Sequence, residues 1–462
     1  MAKSPFTKRD EQREVTRRAL IKWTVAAGAA LGVSRSKVFE ILERSAGKGV
    51  AFAAAENLTA RSVHIMAGNG GHAWHQLMWP HIAVGQANNP NFAYHLPGQG
   101  GLVAGTYKPL FVGPDTPWAN LPASRQVTIF QAGNNETHTG DAVSTTNLNG
   151  SNIHAVASAL QANSPSVIPI VAVGGVAVGT APGGFQPAGV GNADGIVGLF
   201  NSAASRAGGL LSRAADASLY KAHYDAFSQL NRAANRSTTK TSYQTASSAA
   251  QFLGTNLSAK LQITPEDLTR YGITAGTPAN VAAVGRTFIV AVKAFKMGLT
   301  NAVVLRAYND DPHGAFDSGA VMTRAPMHKK IYDAFMADLI ATTDDNTLKA
   351  LADDTVITIA GDTTKNPLQR GGWPDGTPMN SNLVYVYGAG HLKSGWFGGT
   401  AANGTVTGVT PTGDPTAYNG ATMARYATAS IAYAIAKRDE RLISTFANGT
   451  TISNFTGNPK DT

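Results

Sequence analysis

Val167-Ile168-Pro169-Ile170-Val171-Ala172-Val173 is an unbroken apolar run that stops at Gly174-Gly175. A short run without polar alternation has neither face prepared for water, and such strands are buried inside parallel sheets. Upstream, Asn152–Ala162 has helical spacing, and Val127–Gln131 (VTIFQ) is a strand that runs into Gly133-Asn134-Asn135-Glu136-Thr137-His138-Thr139. Earlier still, the apolar stretch Arg61–Ala67 (RSVHIMA) meets Gly68-Asn69-Gly70-Gly71. Downstream, Asn280–Gly298 reads as a helix, and Asn301–Ala307 (NAVVLRA) as a strand ending in Asn309-Asp310-Asp311-Pro312-His313. Met327–Ala341 follows as a helix, and Asp354–Ala360 (DTVITIA) as a strand ending in Gly361-Asp362-Thr363-Thr364. Asn382–Tyr387 is a last strand, leading to Gly388-Ala389-Gly390-His391, and Ala421–Ile443 a closing helix. This alternation predicts an α/β fold with a doubly wound, mostly parallel sheet and helices on both faces.

Between these halves, the Gly/Ala/Pro-rich stretch after Gly174 and the helical patterns at Leu210–Leu230 and Ala249–Leu261 read as an insertion or helical cap over 175–275. The whole of 56–462 is expected to be one domain built on the sheet.

The first 55 residues read differently. Thr16-Arg17-Arg18-Ala19-Leu20-Ile21-Lys22 places paired arginines ahead of a mildly apolar stretch, Trp23–Val33, too short to span a bilayer. A basic segment, a short apolar segment and no spanning helix is signal-peptide anatomy, here of the twin-arginine kind. The reading implies passage through the twin-arginine translocase to a bacterial periplasm or the outside, a route for proteins that are already folded. Cleavage after Ala53-Ala54-Ala55 would leave Glu56 first; a cut near Ala29, or none, are the alternatives. No later segment is long and apolar enough to be transmembrane.

The leader also explains the charge. Residues 1–55 hold 11 of the 38 Lys and Arg and 5 of the 29 Asp and Glu, so they carry +6 of the net +9. The remainder has no cluster of basic residues interleaved with aromatics, which sets nucleic-acid binding aside. With no cysteine in the chain, disulfides, thiol catalysis and thiolate zinc sites are excluded. Any divalent metal must be held by His, Asp, Glu and neutral oxygen ligands.

In doubly wound sheets ligands gather beyond the carboxyl ends of the strands. Here those ends carry His72 and His75, then Glu136, Thr137, His138 and Asp141, then Asp311 and His313, then Asp362, then His391. Asp311-x-His313 is the best single metal candidate, against a plain Asp-Asp-Pro turn. Thr137 is the candidate nucleophile, against a turn or capping threonine. His72, His75 and His81 sit near Trp74 and Trp79, and the alternative for them is the lining of an aromatic surface; His223 and Asp225 fall on a polar helix face. No phosphate-binding P-loop, G-x-S-x-G elbow or dinucleotide-binding glycine motif occurs.

From about 285 to 400 the chain resembles an uncharacterised twin-arginine-exported family of the alkaline phosphatase/sulfatase-like superfamily. The residues that carry the likeness are Asp310-Asp311-Pro312-His313, His328 opening a helix, Leu351 to Asp362, Arg370-Gly371-Gly372-Trp373-Pro374, and Tyr387 to Gly398. The leader and Glu136-Thr137-His138 extend it. The resemblance implies an alkaline-phosphatase-like sheet and hydrolysis of phosphate or sulfate esters, small or polymeric, by a hydroxyl over one or two divalent metals. On it Asp311, His313 and Asp362 would hold metal, His72 or His391 would complete the set, and Thr137 or a neighbour would attack. Two departures bear on this. Gly371-Gly372 stand where the family has Asp-His, and Gly361-Asp362-Thr363-Thr364 where it has Glu-Phe-Gly-Arg. The alternative is a catalytically inactive binding or structural protein on the same fold, for which Trp74, Trp79, Trp373 and Trp396 would offer exposed aromatic surface.

Overall fold

The computed structural model describes residues 59–68, 72–92, 94–134, 146–162, 164, 166–200, 252, 256–307, 313, 319–361, 364–447, 450, 455 and 456. Its contacts divide the chain into two units. One takes Leu58–Ser164, Pro169–Val197 and Leu261–Thr462 and holds the main sheet; the other takes Met1–Asn57, Pro165–Ile168 and Gly198–Lys260, most of it outside the described residues. The leader and the helix expected at Leu210–Leu230 lie outside them too, and of the helix expected at Ala249–Leu261 the described part is helical over Leu257–Leu261.

The strands are β1 (Arg61–Ala67), β2 (Gly101–Val103), β3 (Leu110–Val112), β4 (Thr128–Ala132), β5 (Ile168–Val173), β6 (Ala188–Val190), β7 (Thr300–Ala307), β8 (Thr355–Gly361), β9 (Asn382–Tyr387), β10 (Gly395–Phe397), β11 (Gly399–Thr400), β12 (Val406–Val409) and β13 (Pro415–Ala417). Eight of them form one sheet in the order β10-β4-β9-β8-β1-β7-β5-β6. β1 lies parallel to β7 and β8, β10 to β4, and β5 to β6. β9 is antiparallel to both its neighbours, β4 and β8. The sheet is therefore mostly parallel and the fold α/β. β6, its edge strand, falls inside the segment expected as an insertion. β11, β12 and β13 form a small antiparallel sheet and β2 and β3 a hairpin.

The helices used below are α1 (His72–Gln76), α2 (Ile82–Gln86), α3 (Ile153–Gln161), α4 (Pro265–Arg270), α5 (Ala279–Lys296), α6 (Gly319–Ala341), α7 (Gly420–Ile435) and α8 (Glu440–Ala447). Local chemistry sets their starts. Asn152 caps α3 by accepting from Ala155 N, and Asn419 caps α7 by accepting from Thr422 N. Thr264 and Asp267 make a reciprocal capping box on α4, with Pro265 at the first helical position.

Every residue of β1 is buried because both faces of the sheet are covered. Ser62, His64 and Met66 point one way: Ser62 exchanges hydrogen bonds with Gln161 of α3, and the His64 ring lies 5.4 Å from that of His154. α3, α7 and α8 share this side's core with Phe130, Val356, Ala360, Val384 and Val386. Arg61 points the other way, over Phe295 of α5. α5 buries Val281, Val284, Phe288, Val292 and Phe295, a helical stripe, and Phe288 stacks on Phe335 of α6 at 4.1 Å.

Three expectations are corrected here. The closing helix is two, α7 and α8, because Lys437 (φ 50°) and Arg438 (φ 70°) take the left-handed conformation that ends α7. α6 begins well before Met327 and runs through Pro326, so His328 lies inside a helix rather than opening one. Trp74, Trp79, Trp373 and Trp396 are all buried, so none of them offers an exposed aromatic surface.

Candidate functional site

Because β9 reverses between β4 and β8, those two strands run the same way. β1, β4, β7 and β8 then end at one edge of the sheet. Asn382, the first residue of β9, lies at that same edge, its Nδ2 donating to Gly361 O at 2.8 Å. Four expected site segments follow these ends. His72 is the first residue of α1. Thr137, Asp311 and Asp362 lie outside the described residues, as do Glu136, His138, Asp141, His223 and Asp225. His313 is described and half exposed.

His391 is placed elsewhere. It follows the end of an antiparallel strand, where Tyr387 pairs with Ile357 near the start of β8, and so stands at the opposite edge. There Arg438 Nε donates to its Nδ1 at 2.9 Å and Arg438 Nη2 to Gly390 O at 2.9 Å. Burial, with Arg438 and Lys437 nearby, lowers His391 to a pKa of about 4. The same edge holds a buried ion group: Arg61 pairs with Asp344 and Asp354, and Lys437 with Asp354 at 2.5 Å. His391 belongs with this bracing and does not join His313.

His75 and His81, which follow β1, pack on aromatic rings. His75 meets Tyr332 edge-on, and His81 stacks on Trp396 at 4.9 Å. His328 stacks on Trp74 at 5.5 Å. Burial lowers His81 to about 3, and burial together with Arg324 lowers His328 to about 3.

What His313 does meet is a lysine. Lys365 Nζ lies 3.0 Å from His313 Nδ1, 3.3 Å from its Nε2, and 2.5 Å from Asp375 Oδ1. Asp375 Oδ2 in turn lies 3.3 Å from His313 Nε2. The Lys365 side chain is 0% exposed, whereas His313 and Asp375 are 42% and 39% exposed, so solvent and ligands reach the imidazole and carboxylate but not the ammonium beneath them.

The lysine's position is built by the fold. Its N–H donates to Gln76 Oε1 at 2.8 Å and its carbonyl accepts from Gln76 Nε2 at 3.2 Å, a side-chain amide paired to backbone as a strand would be. Gln76 is buried on α1 and also donates to Tyr94 Oη at 2.7 Å. The rest of the loop is tied down at several points. Thr364 and Thr377 both donate to Ser381 O, Arg370 N donates to Asn91 O, and Trp373 is fully buried.

Lys365 and Asp375 were not among the residues expected from sequence. A single lysine in Thr-Thr-Lys-Asn-Pro has no periodicity, and its partner Gln76 is 289 positions away. The one signal was its place just after an apolar strand.

The donor set tests the expected metal. Among the described residues no three His, Asp or Glu side chains come together as a metal-holding group. His313 and Asp375 are a pair of suitable donors, but a lysine ammonium lies against both. As placed, these residues do not fit a divalent ion. Compared with models of protein families, with curated proteins and with solved structures, the chain matches none.

Proposed function

We propose that this is a twin-arginine-exported protein of the alkaline phosphatase/sulfatase-like type that hydrolyses phosphate or sulfate esters at the carboxyl edge of its sheet. The observation that carries the reading is His313, presented to solvent at that edge and braced by Asp375 and the buried Lys365. A solvent-facing imidazole held by a carboxylate suits proton transfer to or from an attacking or leaving oxygen. His313 and Asp375 would meet the substrate; Lys365, beneath them, would hold the pair in place. The leader and the motif likeness support the export and superfamily parts of the reading.

A second reading, a protein that binds such an anion without turning it over, rests on one observation: among the described residues no three His, Asp or Glu side chains come together to hold the metal that the superfamily's chemistry would use. With the four tryptophans buried, this binding would have to occur at the same edge rather than on an aromatic surface.

The test is turnover of 4-nitrophenyl phosphate and 4-nitrophenyl sulfate by the full chain and by His313→Ala. Loss of kcat/KM by about 100-fold or more supports hydrolysis at His313. Turnover that His313→Ala leaves unchanged removes the site from the reaction. Inorganic phosphate binding without turnover, weakened in His313→Ala and strengthened in Asp375→Ala, supports the second reading.

A further inference from the structure

We infer that the Lys365 ammonium takes the cation position of this site, so that His313 and Asp375 work there without a divalent metal. The inference concerns the same site as the ester reading but does not depend on turnover.

Three observations carry it. First, the lysine bridges the two side chains that a metal would bridge: 2.5 Å to Asp375 Oδ1 and 3.0 and 3.3 Å to the two ring nitrogens of His313. A carboxylate and an imidazole within 3.3 Å of each other are ordinary ligands for a divalent ion. An ammonium hydrogen-bonded to the carboxylate and within 3.3 Å of both ring nitrogens sets a positive charge where such an ion would sit, and like charges repel at that distance.

Second, the ammonium is fully buried. A buried charge persists only when it is paired. The pairing with Asp375 at 2.5 Å holds the Lys365 ammonium at this spot.

Third, the backbone of Lys365 is clamped on both its N–H and its carbonyl by one buried amide, Gln76. The side chain therefore starts from a fixed point immediately beyond β8. The placement is a property of the fold, reached from α1 on one side and the β8–β9 loop on the other. The site has the shape of a single-cation centre in which the cation is covalently part of the chain.

The experiment uses the full chain dialysed against zinc or manganese chloride, desalted and submitted to elemental analysis, with zinc affinity read by calorimetric titration. The wild type is expected to retain well under one ion per chain at this site. Lys365→Met, which removes the ammonium and keeps both ligands, is expected to gain zinc affinity at least tenfold. Lys365→Arg, which keeps the charge, is expected to remain like the wild type. A wild type that holds about one zinc or manganese and releases it in Asp375→Ala overturns the inference. So does a Lys365→Met chain with unchanged far-ultraviolet circular dichroism and no gain in affinity. If Lys365→Met does not fold, the wild-type and Asp375→Ala metal contents decide alone. Turnover of 4-nitrophenyl phosphate that persists in chelator leaves both proposals standing, and turnover that requires added metal overturns this one only. A metal-free chain with no turnover overturns the hydrolase reading only.

Discussion

His81 and His328 are neutral in the fold because burial lowers both to about 3, and an unfolded histidine titrates near 6.5. The unfolded chain therefore binds two protons that the folded chain refuses between those values, and stability falls as pH falls through that window. The loss is about 1.4 kcal/mol per pH unit for each histidine. Both are almost fully buried, so the figure needs little discount for solvent. Urea unfolding at pH 7 and pH 5 should differ by about 4 kcal/mol from these two residues, and His81→Gln should reduce the measured difference by about 2 kcal/mol. A flat response from pH 7 to pH 5 would show that neither histidine stays neutral. At this same scale the limits of reading the chain are plain. His72, His75, His313 and His391 look alike as letters after apolar runs. Only their partners separate a ring packed on Tyr332, a ring braced by Arg438 and a ring facing solvent beside Lys365.

At the scale of elements, apolar runs such as RSVHIMA, NAVVLRA and DTVITIA mark β1, β7 and β8 within a residue or so, because burial on both faces leaves no other composition for them. The direction of β9 was not legible. Asn-Leu-Val-Tyr-Val-Tyr is equally apolar read either way, and only its hydrogen-bond partners decide which end meets Gly361. That one undetermined direction put His391 with the wrong group. The break between α7 and α8 was hidden for a related reason, since Lys437 and Arg438 are not the glycine that usually marks such an end. Gly361 shows what the junction between strand and site requires. Its φ is +132°, and a Cβ there would stand 2.3 Å from Ala67 O of the paired strand. Gly361→Ala should cost about 3 kcal/mol and lower the thermal midpoint. Gly371→Ala, where a Cβ meets nothing within 4 Å, should stay within about 0.5 kcal/mol of wild type. Equal midpoints for the two variants would contradict the close approach.

For the whole molecule, the charge is divided between the leader and the rest. Residues 1–55 carry +6 of the net +9, and the remainder is nearly balanced. No helix among the described residues is long and apolar enough to cross a membrane. On the proposed twin-arginine reading, export should depend on the paired arginines. Arg17→Lys with Arg18→Lys, followed by cell fractionation, should leave the chain in the cytoplasm in place of the periplasm or medium. Unchanged export would remove the twin-arginine reading and with it one support for the superfamily assignment. The α/β class was legible at this scale because alternation of strands and helices survives any error in single boundaries. The proposed site was only half legible. Its place beyond the strand ends followed from the alternation, but Lys365 and Asp375 are assembled by a loop whose sequence has no period to read.

That loop leaves β8 at Gly361 and returns at Asn382, and the two residues are joined by a hydrogen bond of 2.8 Å. A segment whose ends are neighbours closes cheaply: each doubling of its length costs only about 0.6 kcal/mol in closure entropy, so residues between its anchors at Lys365, Arg370 and Trp373 can change without shifting a strand. The reversal of β9 thus lets a lineage, or an engineer, rewrite the chemistry of this edge while inheriting the sheet unchanged.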